Sequence, residues 1–163
     1  MGWELEAGRC ELEAGLGHEF RLRRRVQFYE TDAAGIVHFT WYFRYFEEAE
    51  HALWRESGMS IHPEDSSMGW PRVSASCDFH RPLKFEEEFD VTVQIVEMTP
   101  RTITYAGEIT RDGERIARGT WRIAAVTKLS DGTMRSADIP ASVAERLKPF
   151  APPPSSLHPP TTA

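Results

Sequence analysis

The segment from Trp41 to Trp54 constrains the fold more than any other part of the chain. Its apolar side chains recur at steps of three and four residues, as on one face of an α-helix: Tyr42, Tyr45, Phe46, Ala49 and Leu53. Further aromatic residues lie outside this stripe, so the helix is apolar over much of its circumference and needs to be wrapped by other elements. We expect Thr40 to cap its start and Gly58 to end it.

Alternation of apolar and polar residues with a period of two predicts strands on both sides of this helix. The predicted strands cover residues 20–29, 73–79, 89–95, 103–109 and 114–127. Asp112-Gly113 and Asp131-Gly132 are typical of tight turns, and Pro140 opens a short closing helix that reaches Leu147. A long helix followed by consecutive hairpins predicts an antiparallel sheet with the helix packed on one face, an α+β domain.

The length of 163 residues corresponds to one domain, at about 100 to 200 residues per domain. Hydrophobic residues make up 40% of the chain and aromatic residues 11%, which is enough for a packed core. Residues 1–21 are rich in Gly and Glu, and residues 149–163 hold six of the 11 prolines and no charged side chain. We therefore expect a flexible leader over 1–21, a folded domain over 22–148 and a flexible proline-rich tail over 149–163.

The net charge of −6 provides no basic field, so no nucleic-acid partner is expected. No apolar run approaches the roughly 18 residues of a membrane span, and the N-terminal region is acidic where a signal peptide is basic and then apolar. These patterns predict a cytoplasmic protein with no membrane partner. Cys10 and Cys77 lie far apart without ligand spacing, so we predict no disulfide framework, metal site or cofactor.

One loop and the helix after it carry the resemblance to a known family. Residues 31–37 read Thr-Asp-Ala-Ala-Gly-Ile-Val and lead into the aromatic helix segment that ends in Phe46-Glu47. This segment resembles the signature of the hotdog-fold thioesterases, including the 4-hydroxybenzoyl-CoA and Tol-Pal-associated types. Residues 79–89 resemble the family's second strand pair more loosely. The resemblance implies a single hotdog domain, in which a curled antiparallel sheet wraps around one long central helix.

The resemblance also implies a chemistry, the hydrolysis of an acyl-CoA thioester. That reaction needs a nucleophile or base near the carbonyl and donors for the oxyanion. Asp32 is predicted to act as the nucleophile or as the general base that activates water, and the sequence leaves both roles open. The backbone N–H of Phe39 at the helix start is predicted to polarise the thioester carbonyl. A lone Asp before a helix is more often a turn or capping residue, and the motif around Asp32 is what favours catalysis.

Two titratable residues near this motif are weaker candidates. His38 could assist proton transfer, but relatives that use a histidine here have it one position later, where this chain has Phe39. A loop residue without a catalytic role is an equally good interpretation of His38. Glu47 matches a glutamate of the family and is predicted to support the site, although an ion-paired helix face also explains it.

The substrate contacts are predicted more coarsely. Arg101, in the turn Thr99-Pro100-Arg101, occupies the place where the family has basic residues against the nucleotide, so it is a candidate for the CoA phosphates. A solvent-exposed turn arginine is the alternative. The acyl pocket is predicted near the loop and helix start, at Gly35, Phe39, Trp41, Tyr42 and Trp70, although aromatic residues there are more often core.

Alternatives to hydrolysis follow from the same fold. A non-catalytic acyl-CoA sensor would use the same groove, but it has no need of the Asp32 carboxylate. A hotdog dehydratase would pair a catalytic histidine with a carboxylate in a different loop context, and no segment here offers that pair. The resemblance further implies a homodimer or homotetramer with the active site at the subunit interface, and unpaired edge strands supply the physical motive.

Overall fold

A five-stranded antiparallel sheet and one long helix make up most of the structure, a computed structural model that describes residues 19–152. The elements are, in chain order, β1 (Phe20–Arg25), α1 (Thr40–Glu56), β2 (Met68–Gly69), β3 (Arg72–Phe79), β4 (Glu88–Met98), β5 (Thr102–Arg111), β6 (Glu114–Ala124), β7 (Val126–Lys128), β8 (Met134–Ser136) and α2 (Ala141–Leu147). Short 3-10 helices cover Phe28–Glu30 and Lys148–Phe150. The main sheet has the order β1-β4-β5-β6-β3, and β2-β7-β8 form a second, small sheet.

The main sheet packs its apolar face on α1. Alternate residues of β4 are buried, namely Phe89, Val91, Val93 and Ile95, and they meet the buried stripe of the helix. This arrangement confirms the predicted α+β class and the curled antiparallel sheet around one central helix. Among the described residues, no helix is long and apolar enough to cross a membrane.

A pair of glycines lets the helix approach the sheet closely. Gly107 in β5 and Gly119 in β6 lie opposite each other, under the ring of Phe46 from α1. A Cβ at Gly107 would lie 2.6 Å from Phe46 Cδ1, and a Cβ at Gly119 would lie 2.5 Å from Phe46 Cε2. Because both distances are far inside van der Waals contact, only glycine at these two positions permits the observed separation of helix and sheet.

Several element boundaries differ from the sequence prediction. The first strand ends at Arg25, because the chain turns into a 3-10 helix at Phe28 instead of continuing to Tyr29. The strand predicted over 114–127 is two strands, since β6 ends at Ala124 and β7 leaves the main sheet to pair with β2 and β8. Thr40 does not cap α1, because it is itself the first helical residue. At the other end of α1 the prediction is confirmed: the helix ends at Glu56, and Gly58, with a φ of +73°, closes it, since Gly58 N donates to Arg55 O and Met59 N donates to Trp54 O.

The folded unit extends beyond the expected range of 22–148 at both ends. Phe20 and Phe150 are both buried, and their rings pack edge to face with centroids 6.4 Å apart. Most of the predicted leader and tail lies outside the described residues.

We predict that Gly119→Ala destabilises the fold by about 1 to 3 kcal/mol, because the new methyl group forces Phe46 and the helix away from the sheet. Denaturant unfolding measures this loss. Thr120→Ala is the control, since Thr120 is the exposed neighbour on the same strand, and its effect should stay within about 0.5 kcal/mol. Equal unfolding midpoints for the two variants would contradict the close approach.

Candidate active site

The loop between the 3-10 helix and α1 is a small closed hairpin with Asp32 at its turn. Thr31 and Val37 form a β-bridge, and Asp32 N donates to Ile36 O at 2.9 Å. The turn closes where Gly35 N donates to Asp32 O at 2.9 Å. Gly35 has a φ of +76°, in the left-handed region that side chains disfavour. The backbone of the loop therefore fixes where Asp32 lies.

The carboxylate of Asp32 is only partly engaged by the protein. Its Oδ1 accepts a hydrogen bond from Ala34 N at 2.8 Å, the geometry of an Asx turn. Within the part of the chain that the structure describes, Oδ2 has no hydrogen-bond partner, and the side chain is half-buried. This arrangement orients the carboxylate through one oxygen and leaves the other oxygen available to a substrate or a water molecule.

The start of α1 presents an unengaged backbone donor next to this loop. Phe39 precedes the first helical residue, and its N–H makes no hydrogen bond to any described residue. Thr40 N lies 3.4 Å from His38 Nδ1, and the Thr40 hydroxyl lies 2.9 Å from the same nitrogen. The cap position itself is Phe39, whose side chain makes no capping hydrogen bond, and His38 contacts only the first helical residue. The positive end of the helix dipole adds to the attraction for an oxyanion.

Aromatic rings surround this end of the helix, as the sequence predicts, but not all in the predicted places. Tyr42 is buried and packs edge to face on Phe79, with centroids 5.1 Å apart, and burial raises the pKa of its hydroxyl. Phe39 is 58% exposed and Phe79 is 49% exposed. Trp41 is half-buried against Tyr29. The exposed rings, rather than Tyr42, offer the apolar contact surface.

Trp70 does not lie at the helix start, and that prediction was wrong. Its ring packs on Trp54 in the last turns of α1, with centroids 5.0 Å apart. The loop after α1 returns along the helix C-terminus, so Trp70 covers the opposite end of the helix.

Two other predicted site residues do not meet Asp32 within one chain. Glu47 lies about 10 Å along the axis from the helix start, where it pairs with Arg44 at 2.9 Å. Arg101 follows the far end of β4 and pairs with Asp138 at 2.9 Å. The Asp32 loop is attached beside the near end of β4 through Val37 N and Leu83 O. An 11-residue strand spans about 33 Å, so Arg101 and Asp32 lie at opposite ends of the sheet.

The sequence did not single out Glu30, which is completely buried beside the loop. Its Oε1 accepts a hydrogen bond from Arg24 at 2.8 Å, and its Oε2 accepts one from the Tyr45 hydroxyl at 2.7 Å. Burial, together with the Glu30 carboxylate, raises the pKa of Tyr45 well above its ordinary value, so this hydroxyl stays a donor. The only available signal was the position of Glu30 directly before the motif of residues 31–37, two residues before Asp32.

Comparisons with known proteins show similarity over most of the described residues. A family model described as the thioesterase-like superfamily matches residues 26–147. The crystal structure of a hypothetical protein from Aquifex aeolicus has 35% identity and a TM-score of 0.71, with 78% of this chain and 98% of that chain covered. A gentisyl-coenzyme A thioesterase structure has 28% identity and a TM-score of 0.70, with the same coverage of 78% and 98%. A 1,4-dihydroxy-2-naphthoyl-CoA hydrolase from Synechococcus sp. (strain CC9311) is 29% identical over 122 residues, 67% of this chain and 78% of its own length.

The chain belongs to the thioesterase-like superfamily. The family match covers most of the described residues, including the Asp32 loop and the whole of α1. The resemblance found in residues 31–47 is therefore confirmed at the level of the family.

We predict that Gly35→Ala lowers thioesterase turnover by about tenfold, because a strained φ shifts the turn that carries Asp32. Gly132→Ala is the matched control, since Gly132 has a φ of +83° in another turn and, like Gly35, has open space around its Cα. Both variants should lose about 1 kcal/mol of stability in thermal unfolding. A turnover loss shared by Gly132→Ala would contradict a specific role for the loop.

Proposed function

We propose that the Asp32 loop and the start of α1 form the catalytic centre of this acyl-CoA thioesterase. The observation that carries the proposal is the half-engaged carboxylate of Asp32 in the loop that leads to the unengaged N–H of Phe39. The N–H stabilises the charge that develops on the thioester oxygen, and Asp32 supplies the nucleophile or the base.

Both routes open to Asp32 give the same products. In one, a carboxylate oxygen attacks the thioester carbon, the C–S bond breaks, and water hydrolyses the resulting anhydride. In the other, Asp32 takes a proton from a water molecule that attacks the same carbon, the C–S bond breaks, and the departing thiolate takes up that proton. Either route releases the free acid and CoA. His38 lies beside the donor and is available for proton transfer, while Glu47 supports the helix surface through Arg44.

We propose aromatic acyl groups as the preferred substrates. The exposed rings of Phe39 and Phe79 supply apolar surface at the mouth of the site, which suits stacking or edge contacts with an aryl group. Gly35, in the Asp32 loop, and Trp41, in the first turn of α1, are further candidates for this pocket. Two relatives are named for aromatic acyl-CoA substrates, the gentisyl-coenzyme A thioesterase and the 1,4-dihydroxy-2-naphthoyl-CoA hydrolase.

We propose that a second copy of the chain completes the site. Strand β3 ends the main sheet, so its outer edge pairs with no other described strand, and Val73 and Phe79 on it are about half exposed. An open edge of eight residues without Pro or Lys is a template for another strand. The other edge strand, β1, is shorter and carries Arg21, Arg23 and Arg25.

Antiparallel pairing of two β3 strands around a two-fold axis would also give Arg101 a role. Phe79, near the Asp32 site, ends β3, while Arg72 begins it and pairs with Ile123 near the Arg101 turn. Such pairing brings the start of one β3 to the end of the other. Arg101 of the second copy would then lie toward the CoA phosphates of a substrate bound at the first Asp32.

We predict that Asp32→Asn lowers kcat by about 100-fold or more on the best acyl-CoA, measured as free thiol released from a panel of aryl, short-chain and long-chain acyl-CoAs. Asp131→Asn is a matched control, because Asp131 also accepts a hydrogen bond from the backbone N two residues later, at 2.9 Å, in a distant turn. Full activity of Asp32→Asn would overturn the proposal. Tight acyl-CoA binding by the parent without turnover would favour a sensor instead.

We predict that the protein is at least dimeric at micromolar concentration and that Val73→Lys lowers the dimer fraction, because a lysine on an edge strand opposes pairing. Light scattering measures both. Val96→Lys is the control, since Val96 is an exposed valine of β4, away from the open edge. A monomeric parent protein would refute the shared site.

A further inference from the structure

A buried carboxylate fixes the base of the Asp32 loop to two different elements. Glu30 accepts hydrogen bonds from Arg24 in β1 and from the Tyr45 hydroxyl in α1, and its Oε2 also accepts one from Gln27 N at 2.8 Å. The side chain therefore ties the sheet, the turn after β1 and the central helix together at one point. Charge-assisted hydrogen bonds of this kind are strong and directional.

The backbone of Glu30 closes the same loop from the other side. His38 N donates to Glu30 O at 2.9 Å, and the bridge between Thr31 and Val37 follows directly. Both ends of the loop thus meet at Glu30. Asp32 lies two residues after this point, and the Phe39 N–H lies one residue after His38, so Glu30 connects the proposed carboxylate with the proposed donor.

The partners of Glu30 are themselves held in place. Arg24 Nε bonds Glu48 Oε2 at 2.7 Å, and the Arg24 guanidinium lies 4.7 Å from the centroid of the Tyr45 ring. Arg24 is mostly buried, so this contact is screened little by solvent. Arg24 is thus held by Glu48 and by the Tyr45 ring as well as by Glu30.

Stability alone does not account for a buried ion pair at this position. Removing a carboxylate and a guanidinium from water is costly, and apolar residues of similar volume often pack at least as stably. What the ionic network adds is a fixed direction for the loop. We propose that Glu30 is a positioning residue that sets Asp32 relative to the helix start, an inference that rests on the proposed role of Asp32.

The test compares two buried tyrosines that each lose one hydroxyl. Tyr45→Phe removes the donor to Glu30, and Tyr105→Phe removes a hydroxyl that accepts a hydrogen bond from Trp54 Nε1 at 3.0 Å, away from the loop. Both variants should lower the melting temperature by a few degrees. Only Tyr45→Phe should lower kcat, by about tenfold, with KM changed less than about twofold. Equal kcat values in the two variants would overturn the inference.

A second pair of variants replaces a buried carboxyl group by an amide of the same volume. Glu30→Gln should lower kcat by about 10- to 100-fold, whereas Glu50→Gln should keep kcat near that of the parent. Glu50 is the matched control because it is also fully buried and is also held by an arginine and an aromatic donor, Arg72 at 2.7 Å and Trp121 Nε1 at 2.6 Å. A loss of kcat in both glutamine variants in proportion to lost stability would mean a purely structural role for Glu30.

A double-mutant cycle separates this inference from the proposed function. If Tyr45 and Glu30 act through Asp32, Tyr45→Phe should cost much less kcat in the Asp32→Asn background than in the parent. Full additivity of the two losses would refute the positioning role while leaving the catalytic role of Asp32 intact. Full activity of Asp32→Asn alone would instead refute the proposed function.

Discussion

The contact between the Phe46 ring and the glycines Gly107 and Gly119 is the constraint on which the rest of the structure depends. It lets α1 lie close against the middle of the sheet, where a methyl group on either strand would hold the helix away. The short distance between α1 and the sheet also determines the position of Tyr45, one residue before Phe46. The Tyr45 hydroxyl is thereby placed to donate its hydrogen bond to Glu30. A contact in the centre of the core thereby sets the start of the helix and the loop in front of it.

Three carboxylates of the protein differ in their burial and in their hydrogen bonds. Glu30 and Glu50 are fully buried, and each meets an arginine and an aromatic donor. Burial still raises the pKa of Glu50 to about 7, because Arg72 and Trp121 offset its desolvation only in part. Its Oε1 has no hydrogen-bond partner among the described residues. Asp32 is held by a backbone amide alone and keeps one oxygen unengaged. Glu30 and Glu50 are therefore engaged inside the core, whereas Asp32 is partly exposed.

Local patterns predicted most of the fold. Periodicity predicts the helix between Trp41 and Trp54, the alternating strands and the hairpin turns, because each depends on residues close together in the sequence. The same patterns do not predict contacts between residues far apart in the sequence. Glutamate is a residue type found mostly at protein surfaces. Glu30 is buried because Arg24 and the Tyr45 hydroxyl donate hydrogen bonds to its carboxylate, and the sequence does not show these contacts.

The same limit explains the wrong prediction for Trp70. The sequence does not show that the loop after α1 runs back along the C-terminal end of the helix. The ring of Trp70 therefore lies against Trp54 and not at the helix start. The motif predicts Asp32 and Phe39 as site residues. The unengaged Oδ2 of Asp32 and the unengaged N–H of Phe39 follow from the geometry of the hairpin, which the motif does not show. Arg101 and Asp32 lie apart because the Asp32 loop is attached beside the start of β4 and Arg101 follows the end of that strand, and periodicity does not encode this attachment.

The most direct measurement of the central claim is calorimetric titration of Asp32→Asn with the acyl-CoA that the parent protein hydrolyses best, followed by thiol detection in the same sample. If Asp32 performs the chemistry while the helix start and the aromatic rings hold the substrate, the variant should bind the intact thioester with a Kd within about tenfold of the parent's KM and release no thiol on the same time scale. Release of thiol at the parental rate would contradict the assignment of catalysis to Asp32.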